Sequence, residues 1–210
     1  MVPPDYCDER VTIRTIYEPV HLVSGDCFGY KWSDDRNVLN GYMLDVTGHG
    51  MATALQTAAV SSILNGLLSD ALFGSVQSLA DANSRLTGYL TEGAFAAVIT
   101  FKLDLRQGEL TCVSGGINHF WASTGSSNGW VVLPGIYLGI SENSEFDIMT
   151  IPVQSGDAFY FITDGIIDQI TDEEMLTNQD FFDNIRVLER LACNPEKLDD
   201  CAVLCIKINE

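Results

Sequence analysis

The sequence predicts an α+β fold in which antiparallel sheets are covered by helices. About ten short segments show the β-branched, alternating or apolar patterns typical of strands, and most are joined by short polar or glycine-containing turns. Three or four further segments carry apolar residues at helical spacing. Strands that follow one another through hairpin turns pair antiparallel, so the helices are expected to cover the sheets.

The first half of the sequence is predicted to form three strands and then two helices. Residues 1–10 are polar and contain two prolines, which indicates a linker or frayed N-terminal tail before a single domain at residues 11–210. Val11–Tyr17 alternates apolar and polar residues and is predicted to be a strand. The next predicted strands are 23–32 and 38–45, and the predicted helices are 51–68 and 75–90.

One face of the first predicted helix is expected to pack on the core. Helical spacing brings six small or apolar residues to that face: Leu55, Ala58, Ala59, Ser62, Ile63 and Gly66. The same face is also a candidate docking surface for a partner protein. In the second helix the core-facing residues are predicted to be Val76, Leu79, Ala82, Asn83 and Leu86.

The second half of the sequence is dominated by strands. Hairpin loops are predicted at 104–108 and at 123–128, where glycine, serine and asparagine are concentrated. The predicted strands are 95–103, 109–114, 119–122, 129–133, 146–153, 157–163 and 201–208. Helical material is predicted within 173–192.

Composition restricts the partners and the compartment. The chain has 210 residues and a net charge of −18, which argues against direct binding to nucleic acid or to an anionic membrane surface. Six scattered cysteines without C-x-x-C spacing disfavour a zinc site and suit free thiols in a reducing cytosol. Neither a signal peptide nor an apolar segment of membrane-spanning length is apparent, so we expect a cytoplasmic protein.

The register of the first hairpin predicts two facing carboxylates. Residues that face each other across an antiparallel hairpin have numbers with a constant sum, and Asp26 and Asp45 sum to 71. That sum centres the turn at 35.5, within the polar segment 33–37. Like charges directly opposite each other destabilise a sheet unless a cation neutralises them. The hairpin therefore predicts a cation site at Asp26 and Asp45.

Two more carboxylates occupy similar positions at strand ends. Asp164 follows a buried apolar strand and precedes Gly165, and Asp199 comes directly before the last strand. Carboxylates on short turns offer hard oxygen ligands, which suit Mg²⁺ or Mn²⁺ better than zinc. Two such ions could activate a water molecule and neutralise a phosphate group. Each Asp alone could equally be a solvated turn residue, and the joint pattern is what favours a metal centre.

Four short motifs, in this order, resemble the SpoIIE-like branch of the metal-dependent protein serine/threonine phosphatases, the PPM family. They are Ser24-Gly25-Asp26, Asp45-Val46-Thr47-Gly48-His49-Gly50, Thr163-Asp164-Gly165 and Asp199-Asp200. The resemblance extends over nearly the whole chain. It implies a four-layer α-β-β-α sandwich with two antiparallel sheets between helices, and a single PPM-type domain.

The resemblance also implies a metal set and a reaction. Asp45 would bridge two Mn²⁺ or Mg²⁺ ions, with the backbone carbonyl of Val46 as a further ligand. Asp26 would bind one ion, and Asp164 and Asp199 the other. A hydroxide bridging the ions would then hydrolyse a phosphoserine or phosphothreonine monoester without a covalent enzyme intermediate.

His49 has two possible roles. An imidazole titrates near neutrality and could protonate the departing alkoxide, or it could brace the glycine turn, which we favour. Departures from the family pattern leave the proposed ligands intact: Ser24 stands where glycine is usual, Ile117 where histidine is usual, and Ala202 where threonine is usual.

The resemblance implies a place in bacterial signalling. The domain would be the C-terminal output domain of a response regulator, and its substrate a phosphorylated anti-sigma-factor antagonist; the full-length protein could be a homodimer. The alternative is a catalytically weak or inactive adaptor that binds a sigma factor or another regulatory protein. Residues 115–118 and 63–68 resemble such adaptors.

Overall fold

The computed structural model describes residues 2–48, 50–87, 89–90, 93–170, 176 and 180–209. These residues contain eleven strands and four helices. The strands are β1 (Tyr6–Cys7), β2 (Val11–Glu18), β3 (Asp26–Trp32), β4 (Val38–Val46), β5 (Ala96–Asp104), β6 (Glu109–Gly115), β7 (His119–Ser123), β8 (Asn128–Val132), β9 (Asp147–Pro152), β10 (Ala158–Ile162) and β11 (Cys201–Ile208). The helices are α1 (Met51–Leu67), α2 (Val76–Leu86), α3 (Asp164–Ile167) and α4 (Phe181–Ala192).

The chain forms two compact units, each with one antiparallel sheet. Unit 1 comprises residues 1–22, 119–132 and 153–210, and unit 2 comprises 23–118 and 133–152. The strand order is β1-β2-β11-β10-β7-β8 in unit 1 and β3-β4-β5-β6-β9 in unit 2. Every pair of neighbouring strands is antiparallel. The predicted α+β class, with two antiparallel sheets and accompanying helices, is confirmed.

In unit 2, α1 and α2 cover one face of the sheet. Alternate residues of β4 point toward the helices because side chains alternate along a strand. The resulting core includes Tyr42, Leu44 and Val46 from β4, Val60 and Leu64 from α1, and Leu79 and Leu86 from α2. Ser75 caps α2 by accepting a hydrogen bond from the Ser78 amide at 3.2 Å, which satisfies one free amide of the first turn.

The predicted core face of α1 is wrong. Its buried residues are Thr53, Thr57, Val60, Leu64 and Leu67. Five of the six predicted residues lie on the other side, where Leu55 is 67% exposed and Ala58, Ala59, Ser62 and Gly66 are also exposed. The sixth, Ile63, is partly buried and packs against the core. The threonines can face inward because their hydroxyls find backbone partners: Thr57 Oγ1 donates to Gly25 O or Thr53 O, each at 3.0 Å. No residue of α1 is charged, so charge does not mark its outer face.

In unit 1, the central strand β11 lies between β2 and β10. The core joins Tyr160 and Ile162 of β10, Val203 and Cys205 of β11, and Ile185 and Leu188 of α4. Helix α4 begins after Asp180, whose carboxylate accepts a hydrogen bond from the Phe182 amide at 2.8 Å. The helix predicted within 173–192 is thus confirmed from Phe181; residues 171–175 and 177–179 lie outside the described residues.

Part of the predicted N-terminal tail is folded. Strand β1 pairs with β2, with Tyr6 opposite Ile13 and Cys7 opposite Thr12. The Asp8 carboxylate accepts hydrogen bonds from the amides of Arg10 and Val11 at 2.9 and 2.8 Å. These bonds form a tight turn between two strands, so the expectation of a frayed end fails from Tyr6 onward. Among the described residues, no helix has the length and hydropathy needed to cross a bilayer.

Candidate metal centre

Asp26 and Asp45 face each other across β3 and β4, as the sequence predicts. The two residues are direct partners in the antiparallel register, at the end of the hairpin remote from its turn. Partners in such a register have Cβ atoms roughly 5 Å apart. Asp26 is 3% exposed, whereas Asp45 is half-buried. Two carboxylates this close, one of them buried, repel each other unless positive charge or a proton is shared between them.

Close backbone packing holds this pair and the Val46 carbonyl. The Val46 amide donates to Gly25 O at 3.1 Å, and the Asp26 amide donates to the Ser24 hydroxyl at 2.9 Å. A Cβ at position 25 would stand 2.9 Å from the carbonyl oxygen of Val46, a separation that real Cβ atoms essentially never show. Gly25 therefore permits the approach that places the Val46 carbonyl, a predicted ligand, beside the acidic pair.

A glycine turn connects the acidic strand end to α1. Thr47 anchors its start, because its hydroxyl donates to Phe95 O at 3.0 Å and the Phe95 amide donates back to that hydroxyl at 3.1 Å. Gly48 and Gly50 have φ values of 103° and 86°, a region that residues with a Cβ rarely adopt. His49, the predicted acid or brace, lies outside the described residues.

Asp164 and Asp199 lie near the ends of two neighbouring strands of unit 1, β10 and β11. Asp164 is the first residue of α3, two residues after the end of β10, and Asp199 lies two residues before β11. Thr163 joins the two segments: its amide donates to Ala202 O at 3.1 Å, and the Ala202 amide donates to its hydroxyl at 2.9 Å. Position 165 tolerates no side chain, because a Cβ there would overlap with the carbonyl oxygen of Asp200.

The charges of this second pair interact. Asp164 as a whole residue is exposed, but its carboxyl group is partly buried. This burial raises the pKa of Asp164, and the negative charges of Asp199 and Asp168 raise that pKa further. Hydrogen bonding from the Gly165 amide opposes the rise. A carboxylate whose charged form is disfavoured by its neighbours is one that a cation would stabilise. Asp168, which belongs to none of the sequence motifs, thus contributes to the negative field at Asp164.

Asp200 holds the loop beside the second pair. Its carboxylate accepts a hydrogen bond from the Val20 amide at 2.7 Å, and its own amide donates to the Asp199 carboxylate at 2.8 Å. The first bond ties the end of β2 to the start of β11, and the second orients Asp199. The sequence motif alone does not indicate this role of Asp200.

His119 is a neighbour of Asp164 that none of the sequence motifs indicates. Burial lowers the pKa of His119, and the negative charge of Asp164 acts in the opposite direction. Its ring packs edge-on against Trp130, with centroids 5.2 Å apart. His119 and Asp164 are 45 positions apart in the sequence, so only the pairing of β7 with β10 reveals that they are close.

The donors fit hard divalent cations. All predicted side-chain ligands are carboxylates, and the remaining ligand is a backbone carbonyl, the oxygen set that Mg²⁺ and Mn²⁺ prefer. The described residues contain no group of three or more His, Cys, Asp or Glu side chains arranged to hold a metal ion. Each unit therefore supplies a pair of carboxylates, and the shared use of all four stays a prediction.

Comparison with known families identifies one match over most of the chain. The family model described as stage II sporulation protein E (SpoIIE) matches residues 35–209. No curated protein sequence matches significantly.

Solved structures of low sequence identity share the fold. RsbX in complex with magnesium is 19% identical with a TM-score of 0.75, and all of both chains is covered. The phosphatase domain and a regulatory fragment of SpoIIE from Bacillus subtilis is 16% identical with a TM-score of 0.80; 95% of this chain aligns with 62% of that one. The RsbU and RsbW domains of Rv1364c from Mycobacterium tuberculosis are 16% identical with a TM-score of 0.71, with coverage of 99% and 62%. The chain thus has the PP2C-type phosphatase fold and spans under two thirds of two of these relatives.

Proposed function

The chain belongs to the SpoIIE family, and from that premise we propose that it is a metal-dependent protein phosphoserine/phosphothreonine phosphatase. The observation that carries the proposal is the register that sets Asp26 opposite Asp45. A sheet gains nothing from two facing carboxylates at this position, since like charges directly opposite each other are destabilising. A divalent cation between them turns that repulsion into coordination.

The proposed metal set combines both acidic pairs. Asp45, Asp26 and the Val46 carbonyl are proposed to hold two Mn²⁺ or Mg²⁺ ions together with Asp164 and Asp199. Support comes from the raised pKa of Asp164, whose neighbours disfavour its charged form, and from the relative RsbX, which was solved in complex with magnesium.

When bound, the ions would supply an activated water and neutralise the charge of a phosphate ester. The protein's own contribution is to fix the ligand oxygens. Gly25 lets the Val46 carbonyl lie beside the pair, Gly165 lets α3 start against Asp200, and Asp200 orients Asp199 through its backbone amide. His49 is proposed to brace the glycine turn or to protonate the departing alkoxide.

The proposed substrate is a phosphorylated anti-sigma-factor antagonist in a bacterial signalling pathway. The support is family membership, together with the RsbU and RsbW domains that occur in one polypeptide in the M. tuberculosis relative. The domain is proposed to be the output domain of a cytoplasmic response regulator. Dimerisation of the longer protein belongs to the same proposal.

Hydrolysis of p-nitrophenyl phosphate and of a phosphoserine peptide, with and without Mn²⁺, tests the proposal. We expect Mn²⁺-dependent turnover that Asp45→Asn lowers by more than the roughly 10–100-fold typical of outer-shell changes at a metal site. Calorimetric titration of Mn²⁺ should show weaker binding for Asp26→Asn and Asp164→Asn as well.

Two exposed aspartates outside the acidic pairs provide matched controls. Asp147→Asn in β9 and Asp183→Asn in α4 remove the same charge and should leave turnover and Mn²⁺ binding unchanged. Full activity of Asp45→Asn would refute its assignment. Metal binding that needs Asp26 and Asp45 but not Asp164 or Asp199 would refute the shared centre.

The exposed face of α1 supports the alternative of an inactive adaptor. Met51 and Leu55 are each 67% exposed on a helix that has no charged residue, and exposed apolar surface of this kind can mark a protein interface. An adaptor would bind a sigma factor or similar protein without Mn²⁺-dependent turnover. Purified chain that neither binds Mn²⁺ nor hydrolyses the phosphopeptide, yet binds such a partner, would establish this alternative.

A further inference from the structure

A cavity of about 400 Å³ lies in unit 2 where the layer of helices ends. Its floor is the helix-facing side of the sheet near the hairpin turn of β3 and β4, and its wall is the segment that follows α1. The residues that matter for its chemistry are Lys31, Asn40, Lys102, Arg106 and Trp32. The volume falls within the range of small-molecule sites.

Two lysines flank Asn40 on its neighbouring strands. Lys31 of β3 and Lys102 of β5 are both direct partners of Asn40 in the register of β4, so the three side chains form a row on one face of the sheet. Lys31 donates a hydrogen bond to the neutral Ser69 hydroxyl at 2.6 Å. In the described part of the chain, neither lysine forms an ion pair.

Arg106 adds a third cation that is only loosely neutralised. Its guanidinium lies 3.3 Å from the Asp35 carboxylate and 3.8 Å from that of Asp104. The Arg106 and Asp35 side chains are 59% and 50% exposed, and ion pairs of that kind are weak and easily exchanged. Three of the eleven basic residues of a chain with net charge −18 thus line one cavity, beside two lining carboxylates, Asp34 and Asp70, and the two carboxylates that face Arg106. Lys31 and Lys102, which form no ion pair in the described residues, are the main cations available to an anion.

Asn40 provides an independent sign of a polar site. The residue is 9% exposed, and its amide nitrogen donates to Leu68 O at 2.8 Å, at the end of α1. Its amide oxygen is buried and has no hydrogen-bond partner among the described residues. Buried polar atoms in native proteins are nearly always paired, and Asn40 lines the cavity, so a donor group of a bound ligand is a candidate partner for this oxygen.

We propose that this cavity binds a small phosphate ester. Two ammonium groups and a guanidinium are the donors that hold a phosphate dianion. The Trp32 indole offers a flat apolar surface for the organic part, and a hydroxyl or amino hydrogen of that part would pair with Asn40. The structural role of Lys31 near the carbonyl end of α1 is compatible with this site but does not explain Lys102, which lies on the other side of Asn40.

The cavity is distinct from the acidic pair of the same unit. Asn40 and Asp45 lie five residues apart on β4, which is about 17 Å along an extended strand. The inference therefore does not rest on the proposed phosphatase activity. Binding can be measured without metal, so that phosphate cannot be held by ions at the acidic residues.

Calorimetric titration of the full chain in EDTA with AMP and with inorganic phosphate tests the site. We expect saturable binding of both, tighter for AMP, with competition between them. Lys102→Gln should weaken AMP binding about tenfold or more, because it removes a charge-assisted hydrogen bond. Lys31→Gln should weaken binding in the same direction.

Lys207→Gln in β11 of unit 1 is the matched control and should bind AMP like the unsubstituted chain. Equal thermal midpoints of the two unit 2 variants and the control would exclude unfolding as the cause of weaker binding. If neither AMP nor phosphate binds saturably, or if both Lys102→Gln and Lys31→Gln bind AMP normally, the proposal is wrong.

Discussion

Gly165 lies so close to Asp200 that its α-carbon has room for hydrogen alone on the side facing the Asp200 carbonyl oxygen. This contact sets the start of α3 against the segment that leads into β11. Asp164 and Asp199 each lie one residue away from the contact. The packing of one glycine therefore determines how near two candidate ligands can come.

Gly165→Ala should destabilise unit 1 and weaken metal binding. Insertion of a methyl group into a close backbone contact costs about 1–3 kcal/mol or more, because the backbone has to move. Urea unfolding and Mn²⁺ titration measure the two effects. Gly125→Ala, where an added Cβ meets no atom within 4 Å, is the control and should change neither.

Asp45→Asn should stabilise the metal-free chain and reduce the further stabilisation that Mn²⁺ provides. Replacing one of two facing carboxylates by an amide relieves a repulsion of about 0.2–1 kcal/mol. We expect a higher urea midpoint than the unsubstituted chain in EDTA, and a smaller rise on addition of Mn²⁺. A lower midpoint of Asp45→Asn in EDTA would show that the pair is not repulsive in the free protein.

His119 should make folding stability depend on pH below neutrality. Burial lowers its pKa in the folded state from the ordinary value of 6.5, so the unfolded chain binds more protons in the window below 6.5. The contribution is complete above that value and is lost as pH falls through the folded pKa. Unfolding free energies between pH 7.5 and 5 should show a shallower loss for His119→Gln, and an unchanged one for the exposed control His21→Gln.

Two leucines of α1, Leu64 and Leu55, should respond differently to truncation. Leu64 is 1% exposed, and Leu64→Ala should cost about 2–5 kcal/mol of unfolding free energy. Leu55 is 67% exposed, and Leu55→Ala should stay within about 0.5 kcal/mol. Equal destabilisation by both substitutions would contradict the orientation of the helix described above.

The success at Asp26 and Asp45 and the failure at α1 have physical causes. The position of the turn determines which residues of a hairpin are partners, so the facing carboxylates could be predicted from the sequence alone. The orientation of α1 could not be, because threonine is a polar residue type, yet Thr53 and Thr57 are buried with Val60 at the same helical spacing. The hydroxyl of Thr57 donates to a backbone carbonyl, which satisfies it in the core.

Other features depend on contacts that no local pattern contains. The four-residue helix α3 is too short to give a periodic signal. The influence of Asp164 on His119 depends on how β7 and β10 pair across the sheet. The same holds for the cavity at Asn40, whose two lysines are 71 positions apart and meet only through the register of three strands.

The arrangement of unit 1 along the chain has a consequence for biosynthesis. Strand β2 is made well before its long neighbour β11, which is formed by residues 201–208. The sheet of unit 1 therefore stays incomplete on the ribosome until residue 208 has been made, and the edge of β2 that pairs with β11 stays unpaired until then. Unit 2, whose segment 23–118 is continuous, can assemble four of its five strands much earlier. Premature termination before residue 201 would leave a nascent product with one sheet open, a species prone to aggregation and to quality-control proteolysis.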